Sequence, residues 1–164
     1  MPVAIRGRAA VALPLLLVAV LLGTMLTAPS ASAMTRQQRI QNAFTIVNDQ
    51  RGDHYAYGAE GPHRFDCSGL TYFGFRKAGF RHVPRTSSAQ ARHVKRIRKA
   101  DLRPGDFVFF HDGAATAGNV YHVGIFAGMA KGRRYVVHAP STGERVHRSK
   151  IWTQQWFAGT LRGM

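Results

Sequence analysis

The chain has 164 residues, of which 23 are Lys or Arg and 8 are Asp or Glu, so its net charge is +15. This length suits one domain with a substantial core, and so strong a positive field attracts polyanions. The only cysteine, Cys67, excludes an internal disulfide and a multi-cysteine metal site.

Residues 1–33 have the composition of a secretory signal peptide. Arg6 and Arg8 give a positive start, an almost wholly apolar run covers residues 9–26, and Ala31-Ser32-Ala33 is a small-residue cleavage signal. An uncleaved N-terminal anchor is the alternative, because the apolar run is long. We expect cleavage near Ala33, which would give a secreted protein with no stable membrane span.

The charge of the mature chain indicates what kind of partner it meets. Without Arg6 and Arg8 the chain keeps 21 basic and 8 acidic side chains, a net charge of +13. Export argues against nucleic acid, so an anionic cell envelope is the expected partner. The densest basic run, residues 92–99, is interpreted as a solvated surface rather than a dedicated anion site.

Helical patterns occupy the first half of the mature chain. Thr35 and Gln38 fit a capping box, and apolar residues recur at helical spacing until the helix ends within residues 48–52. Residues 52–66 are rich in glycine and polar residues and are predicted to form a loop.

A second predicted helix follows that loop. Asp66 is a good N-cap, so Cys67 would lie in the first turn, and Gly79 would end the helix. Ser87 or Ser88 is expected to cap a short third helix.

Strand patterns occupy the second half. Strands are predicted at residues 107–110, 121–127, 134–139 and 157–162, whereas residues 146–152 have no clear pattern. Short connections between successive strands imply an antiparallel sheet. The predicted fold class is therefore α+β, with N-terminal helices packed on a central antiparallel β-sheet.

Two readings of Cys67 follow from its surroundings. The positive end of a helix favours the thiolate, whereas the charge of Asp66 opposes it, so a base would be needed. From these residues alone, a nucleophile and a buried structural thiol remain equally open.

Two of the eight histidines lie inside predicted strands. Alternation places His122 on one face with Gly124 and Phe126, and Gly124 leaves room for another group to approach. If the two strands are neighbours, His138 can reach the ring of His122 and fix its tautomer. A hydrogen-bonded core histidine is the alternative for each.

Seven short motifs follow one another along the chain, and together they resemble one known family. They are Tyr55-x-x-Gly58, Phe65-Asp66-Cys67-Ser68-Gly69-Leu70, Pro84-Arg85-Thr86-Ser87, Gln90, Pro104-Gly105-Asp106-Phe107-Val108-Phe109-Phe110, His122-Val123-Gly124-Ile125 and His138-Ala139-Pro140. In this order they resemble the NlpC-type peptidoglycan peptidases, small papain-like cysteine peptidases of bacterial cell walls. Each motif is weak alone, but seven in order over roughly residues 50–162 are specific.

The resemblance implies a catalytic set of three residues. Cys67 would be the nucleophile, His122 the general base and acid, and His138 the residue that orients His122. The backbone N–H of Cys67, with the hydroxyl of Tyr55, would hold the oxyanion.

The resemblance also implies a substrate groove beside the thiol, lined by Asp66, Ser68, Arg85 and Ser87. A carboxylate at Asp66 would bind a free peptide amine, and Arg85 would bind a substrate carboxylate.

The function implied for residues 34–164 is that of a secreted cell-wall endopeptidase. It would hydrolyse peptide-stem amide bonds of peptidoglycan through a thioester, between the γ-carboxyl of D-glutamate and a diamino acid such as meso-diaminopimelate or lysine. A peptidoglycan amidase, an acyl-transfer enzyme and a non-catalytic cationic wall-binding protein are the alternatives. A zinc hydrolase is disfavoured because the sequence has no His-Glu-x-x-His motif.

The expected partners follow from the same resemblance and from the charge. They are peptidoglycan peptide stems, together with anionic wall polymers held by charge. We expect a monomer that uses no cofactor or metal and does not bind nucleic acid.

Overall fold

The structure is a computed structural model that describes Met1 and residues 34–164. The predicted signal peptide therefore lies outside the described residues, apart from Met1, and remains a prediction. Within the described part of the chain, no helix combines the length and the apolar character needed to cross a membrane.

Within residues 34–164, three α-helices precede the main sheet: α1 (Arg36–Asp49), α2 (Cys67–Lys77) and α3 (Ser87–His93). The first begins at the predicted capping box, where the Thr35 hydroxyl accepts from Gln38 and the Gln38 side chain accepts from Thr35. The cap of α3 is Thr86, so the prediction of Ser87 or Ser88 was wrong. Thr86 is the last residue with extended backbone, and Ser87 is already helical.

In the part of the chain that the structure describes, eight strands form two sheets. A small parallel pair lies in the loop before α2, and six strands form an antiparallel sheet in the order β3-β8-β4-β5-β6-β7. Two 3₁₀ turns cover Lys99–Asp101 and Ala117–Asn119. The strands are β1 (His54–Tyr55), β2 (Arg64–Phe65), β3 (Lys95–Ile97), β4 (Phe107–His111), β5 (Val120–Ala130), β6 (Arg133–His138), β7 (His147–Lys150) and β8 (Trp156–Thr160).

The predicted α+β class is confirmed, and four of the six strands of the main sheet lie where the sequence predicts them. The two strands that were not predicted, β3 and β7, are the edges of the sheet. Edge strands are short and rich in charged residues, so they lack the apolar alternation that marks inner strands. The basic run at residues 92–99, which we interpret as a solvated surface, contains β3.

Side chains alternate between the two faces of the inner strands. Val123 and Ile125 join the core between the sheet and the helices, whereas Phe126 joins a smaller apolar cluster on the other face with Phe110. His122 packs against Phe110, with ring centroids 5.5 Å apart, so the predicted face of His122 is confirmed. At the start of β5, His122 therefore lies on the same face as Phe110, whereas Val123 and Ile125 pack into the core beneath the helices.

Candidate active site

The thiol lies at the start of α2, in a first turn that is tightly fixed. Oδ1 of Asp66 accepts the N–H of Gly69 at 2.6 Å, which caps the helix. A side chain at Gly69 would overlap the carbonyl oxygen of Ala59, so glycine lets the preceding loop cross this turn closely. Cap and crossing together hold Cys67 at the edge of a cavity.

Opposing influences act on the ionisation of Cys67. Burial is the largest, and it raises the pKa of the thiol, as does the negative charge of Asp66. Hydrogen bonds to the sulfur from the backbone of Val123, Ser68 and Cys67 itself lower that pKa, but burial outweighs them. The predicted pull of the helix end towards thiolate is thus present and overcome, so Cys67 rests as a thiol and needs a base.

Two imidazoles meet across neighbouring strands. Nε2 of His122 on β5 lies 2.8 Å from Nδ1 of His138 at the end of β6, and both rings are buried. A Cβ added at Gly124 would lie 3.2 Å from the Cβ of His138. The carbonyl oxygen of Val137 and the Cβ of Val136 would be as close, at 3.1 and 3.3 Å, so the space that glycine leaves is filled by the close approach of β6 as a whole.

The hydrogen-bonded chain continues past His138. Its Nε2 lies 2.8 Å from Oγ of Ser149 on β7, the edge strand that pairs with β6. The indole of Trp152 stacks on His138 at 5.2 Å and on Phe110 at 4.1 Å between ring centroids, and so covers this chain. The sequence gives no signal for Ser149, because a serine in a polar segment is unremarkable.

Burial keeps both imidazoles neutral. It lowers the pKa of His122 to about 4. Burial is also the main cause that lowers the pKa of His138 to about 3, with smaller contributions from His122 and His147. At neutral pH each ring therefore carries one N–H.

Because each ring carries a single N–H, the hydrogen bonds that link His122, His138 and Ser149 can point in either of two directions. In the first, Nε2–H of His122 donates to His138, and Nε2–H of His138 donates to the Ser149 oxygen. Nδ1 of His122 then carries no proton and can accept one. In the reverse arrangement Ser149 donates and Nδ1 of His122 is already protonated, so only the first arrangement provides a base.

The three predicted catalytic residues line one cavity of about 210 Å³, with Tyr55, Tyr121, Pro140 and Trp152. Burial raises the pKa of Tyr55, with smaller contributions from Cys67 in its ionised form and from Asp66, so the Tyr55 hydroxyl stays a donor at neutral pH. The structure thus brings Cys67, His122, His138 and Tyr55 together.

A second cavity, of about 470 Å³, shares Tyr55, Cys67 and Tyr121 with the first. The predicted groove residues Asp66, Ser68, Arg85 and Ser87 all line it.

Asp66 and Arg85 are each other's partners inside this groove. Nη2 of Arg85 lies 2.7 Å from Oδ2 of Asp66, and its Nε lies 2.9 Å from Glu60. Burial opposes ionisation of Asp66, but hydrogen bonds from Arg85, Gly69 and Ser68 hold its pKa below the ordinary value. The amine and carboxylate expected from the substrate would therefore meet a carboxylate and a guanidinium that are already paired.

Curated proteins similar to this chain include peptidases of two bacteria. A probable endopeptidase of Corynebacterium glutamicum is 36% identical over 115 residues, which make up 70% of this chain and 50% of that protein. The murein DD-endopeptidase MepH of Escherichia coli K12 is 30% identical over 149 residues, 87% of this chain and 51% of that protein. The chain spans about half the length of these two relatives.

Solved structures share the fold. The NlpC/p60 domain of the peptidoglycan hydrolase SagA matches with a TM-score of 0.64 at 25% identity, over 74% of this chain and 98% of that domain. RipD of Mycobacterium tuberculosis, described as a non-catalytic NlpC/p60 domain protein, matches in fold with a TM-score of 0.60 at 19% identity, over 76% and 98%. Fold alone therefore does not separate catalysis from binding. The NlpC/P60 family model matches residues 52–163, well over half of the sequence, and the chain belongs to this family.

Proposed function

We propose that this protein is a secreted cysteine endopeptidase that cleaves the peptide stems of peptidoglycan. The observation that carries the proposal is the 2.8 Å contact between His122 and His138, in a cavity that they share with Cys67. A protein that only binds the wall has no use for a thiol that lines one cavity with two buried neutral imidazoles. Two similar proteins, one of them MepH, are named endopeptidases.

The proposed reaction has two steps. Sγ of Cys67 attacks the amide carbonyl while its proton moves to Nδ1 of His122. The imidazolium then gives that proton to the leaving nitrogen, the C–N bond breaks and a thioester remains. Water attacks the thioester, His122 takes a proton from that water, and the acyl group leaves as a carboxylic acid while the thiol is restored.

His138 and Ser149 act through His122 in this scheme. When His122 becomes an imidazolium, its Nε2–H continues to donate to Nδ1 of His138. In the arrangement that leaves Nδ1 of His122 free, Ser149 accepts the remaining N–H of His138 and so keeps that N–H paired. Both are positioning residues for the base.

When the sulfur attacks, negative charge forms on the carbonyl oxygen of the substrate, and hydrogen-bond donors must stabilise it. The backbone N–H of Cys67 at the helix start and the phenol of Tyr55 are the proposed pair. Such donors act most strongly in a site from which water is excluded, and one donor contributes about 10²-fold in rate.

The acyl side of the substrate is assigned to the larger cavity. Asp66 and Arg85 already bond each other and their neighbours, so a substrate amine or carboxylate would displace one of these contacts, most readily that of Arg85 with the exposed Glu60. Ser68 donates its hydroxyl to Asp66 and supports the pair, and Ser87 is the proposed hydroxyl donor to the substrate. We propose cleavage between D-glutamate and the diamino acid. The name of MepH makes a D,D bond the alternative.

Anionic wall polymers are the second proposed partner, held by the charge of the mature chain. Attraction between exposed charges is screened by salt, so retention on purified walls should fall steeply as the salt concentration rises. Retention that is insensitive to salt would contradict an electrostatic anchor.

The experiment is digestion of purified muropeptides, with the fragments identified by mass. New D-glutamate γ-carboxyl ends would support the proposed bond, and conversion of cross-linked dimers to monomers would move it to the D,D bond. Transfer of the acyl group to an added amine would indicate the acyl-transfer alternative. An intact substrate, or cleavage that EDTA stops and thiol alkylation does not, would contradict the proposal.

A further inference from the structure

A third cavity, of about 380 Å³, lies apart from the thiol and is lined mainly by basic side chains. It shares no lining residue with either cavity at Cys67. Its residues come from the start of α1, the segment after α2, the end of α3 and the segment after β8. They are Arg36, Arg39, Gly79, Phe80, Arg81, His82, His93, Leu161 and Met164.

Like charges are held together at this cavity. The guanidinium carbons of Arg36 and Arg39 each lie 5.4 Å from the centroid of the Phe80 ring. Both arginines lie at the start of α1, where the positive end of the helix disfavours cations, and no acidic residue occupies that turn. The Nε–H of Arg36 also donates to the backbone carbonyl of Leu161. These contacts orient the two arginines but leave their charges in place, so an anion would stabilise the cluster.

No carboxylate side chain lines the cavity, so the α-carboxylate of the last residue, Met164, is the one negative group of the described residues that can oppose its arginines. None of the eight acidic residues lines the cavity, and the ion pairs within residues 34–164 use Arg85, Arg98 and Arg162 instead. The sequence of residues 1–33 contains no Asp or Glu. The buried Nε of Arg39 has no hydrogen-bond partner within the described part of the chain.

We propose that this cavity binds a phosphate group carried by an anionic phosphodiester polymer of the cell envelope. Guanidinium groups match phosphate oxygens in geometry, and several of them together suit a strongly charged group better than a single carboxylate. An anion here would give Arg39 the acceptor that its Nε lacks and would relieve the repulsion between Arg36 and Arg39.

The site would hold the protein without blocking the thiol. Cys67 begins α2, whereas Gly79 and Phe80 follow its other end, and the eleven residues of α2 span about 16 Å. A polymer bound at one end of the helix therefore leaves the proposed groove at the other end open. The binding claim does not depend on the proposed peptidase activity.

The test compares two double variants that remove the same charge. Arg36→Gln with Arg39→Gln changes the cavity, and Arg51→Gln with Arg133→Gln changes two exposed arginines elsewhere. Calorimetric titration uses short poly(glycerol phosphate), inorganic phosphate and a single-stranded oligonucleotide of equal charge as probes. Arg81→Gln, an exposed position at the cavity rim, serves as a second cavity variant that should not disturb folding.

We expect one saturable site for poly(glycerol phosphate), weakened at least tenfold in both cavity variants and less than twofold in the control. Hydrolysis of soluble muropeptides should stay the same in every variant, so a failure of the peptidase proposal would be seen separately. Equal weakening in the control would overturn the site in favour of charge alone. Saturation by inorganic phosphate only, or tighter binding of the oligonucleotide, would overturn the wall polymer as the ligand source.

Discussion

The two halves of the candidate site are held together by opposite physical means. On the thiol side, the charges of Asp66 and Arg85 compensate each other at 2.7 Å in a groove open to solvent. On the imidazole side, His122, His138 and Ser149 form a neutral chain across three strands, covered by Trp152. The charged half stays ionised because pairing compensates for its partial burial, whereas the neutral half keeps its protonation state only while it is buried.

The two halves should also lose their contributions to the stability of the fold at different pH. A buried histidine with a lowered pKa stays neutral in the folded state and takes up a proton on unfolding, so it destabilises the fold as the pH falls below about 6.5. A carboxylate with a lowered pKa stabilises the fold above about pH 4 and loses this contribution below it. The imidazole half should therefore respond to acid first.

The largest expected effect is loss of the proton acceptor on the imidazole side. His122→Ala should lower kcat/KM on muropeptides by about 10³-fold, since the thiol then has no base. His138→Ala should cost about 10²-fold, because it orients the base and takes no proton from the substrate. Steady-state rates with thermal unfolding in parallel test both, and a larger loss for His138→Ala would contradict the assignment.

Acid should weaken the folded state through the same pair of histidines. A histidine whose pKa falls from 6.5 to about 4 costs about 2 kcal/mol of unfolding free energy between pH 7 and pH 5. Urea unfolding at the two pH values measures this, and His138→Asn should reduce the loss. Stability that is flat between pH 7 and pH 5 would mean that the pair is not buried and neutral.

Asp66→Asn tests the charged half. Breaking a buried ion pair costs about 3–5 kcal/mol, and we expect about 2 kcal/mol here because Arg85 is 28% exposed. The difference from the wild type should shrink below about pH 4, where Asp66 becomes protonated first in the unfolded chain, and vanish only below the lowered pKa of the folded state. Asp101→Asn, in an exposed pair with Arg98, is the matched control and should leave the unfolding free energy unchanged. An equal loss in both variants would contradict a special role for the Asp66 pair.

The smallest effect is expected at the end of the neutral chain. Ser149→Ala should lower kcat about tenfold with KM unchanged, since it leaves an N–H of His138 without an acceptor. Ser149→Thr should restore activity by restoring a hydroxyl, and Ser141→Ala should have no effect. Full kcat in Ser149→Ala would show that Ser149 does not help to position His138.

The thiol side could be predicted largely from the sequence because its signals are local. Asp66 and Gly69 are neighbours of Cys67, and a capping residue before a helical pattern identifies the first turn. The pairing of Asp66 with Arg85 was not predicted. These residues are 19 positions apart, and only the packing of two loops brings them together.

The imidazole side could be predicted only in part. His122 and His138 are polar residues within apolar strand patterns, so the sequence alone marks them as candidates. The hairpin pairing of β5 with β6 then brings their rings into contact. Ser149 lies on an edge strand without an apolar pattern, so no local signal marks it. The position of β8 between β3 and β4 is likewise fixed by long-range pairing.

The most direct test of the account is the intact mass of the protein, acid-quenched while it turns over muropeptides. We predict a fraction of molecules heavier by the mass of the acyl fragment, with the adduct on Cys67 and released by hydroxylamine, as a thioester requires. Cys67→Ala should show neither adduct nor cleavage. Cleavage that continues in Cys67→Ala, without any adduct, would contradict the claim that this thiol performs the chemistry.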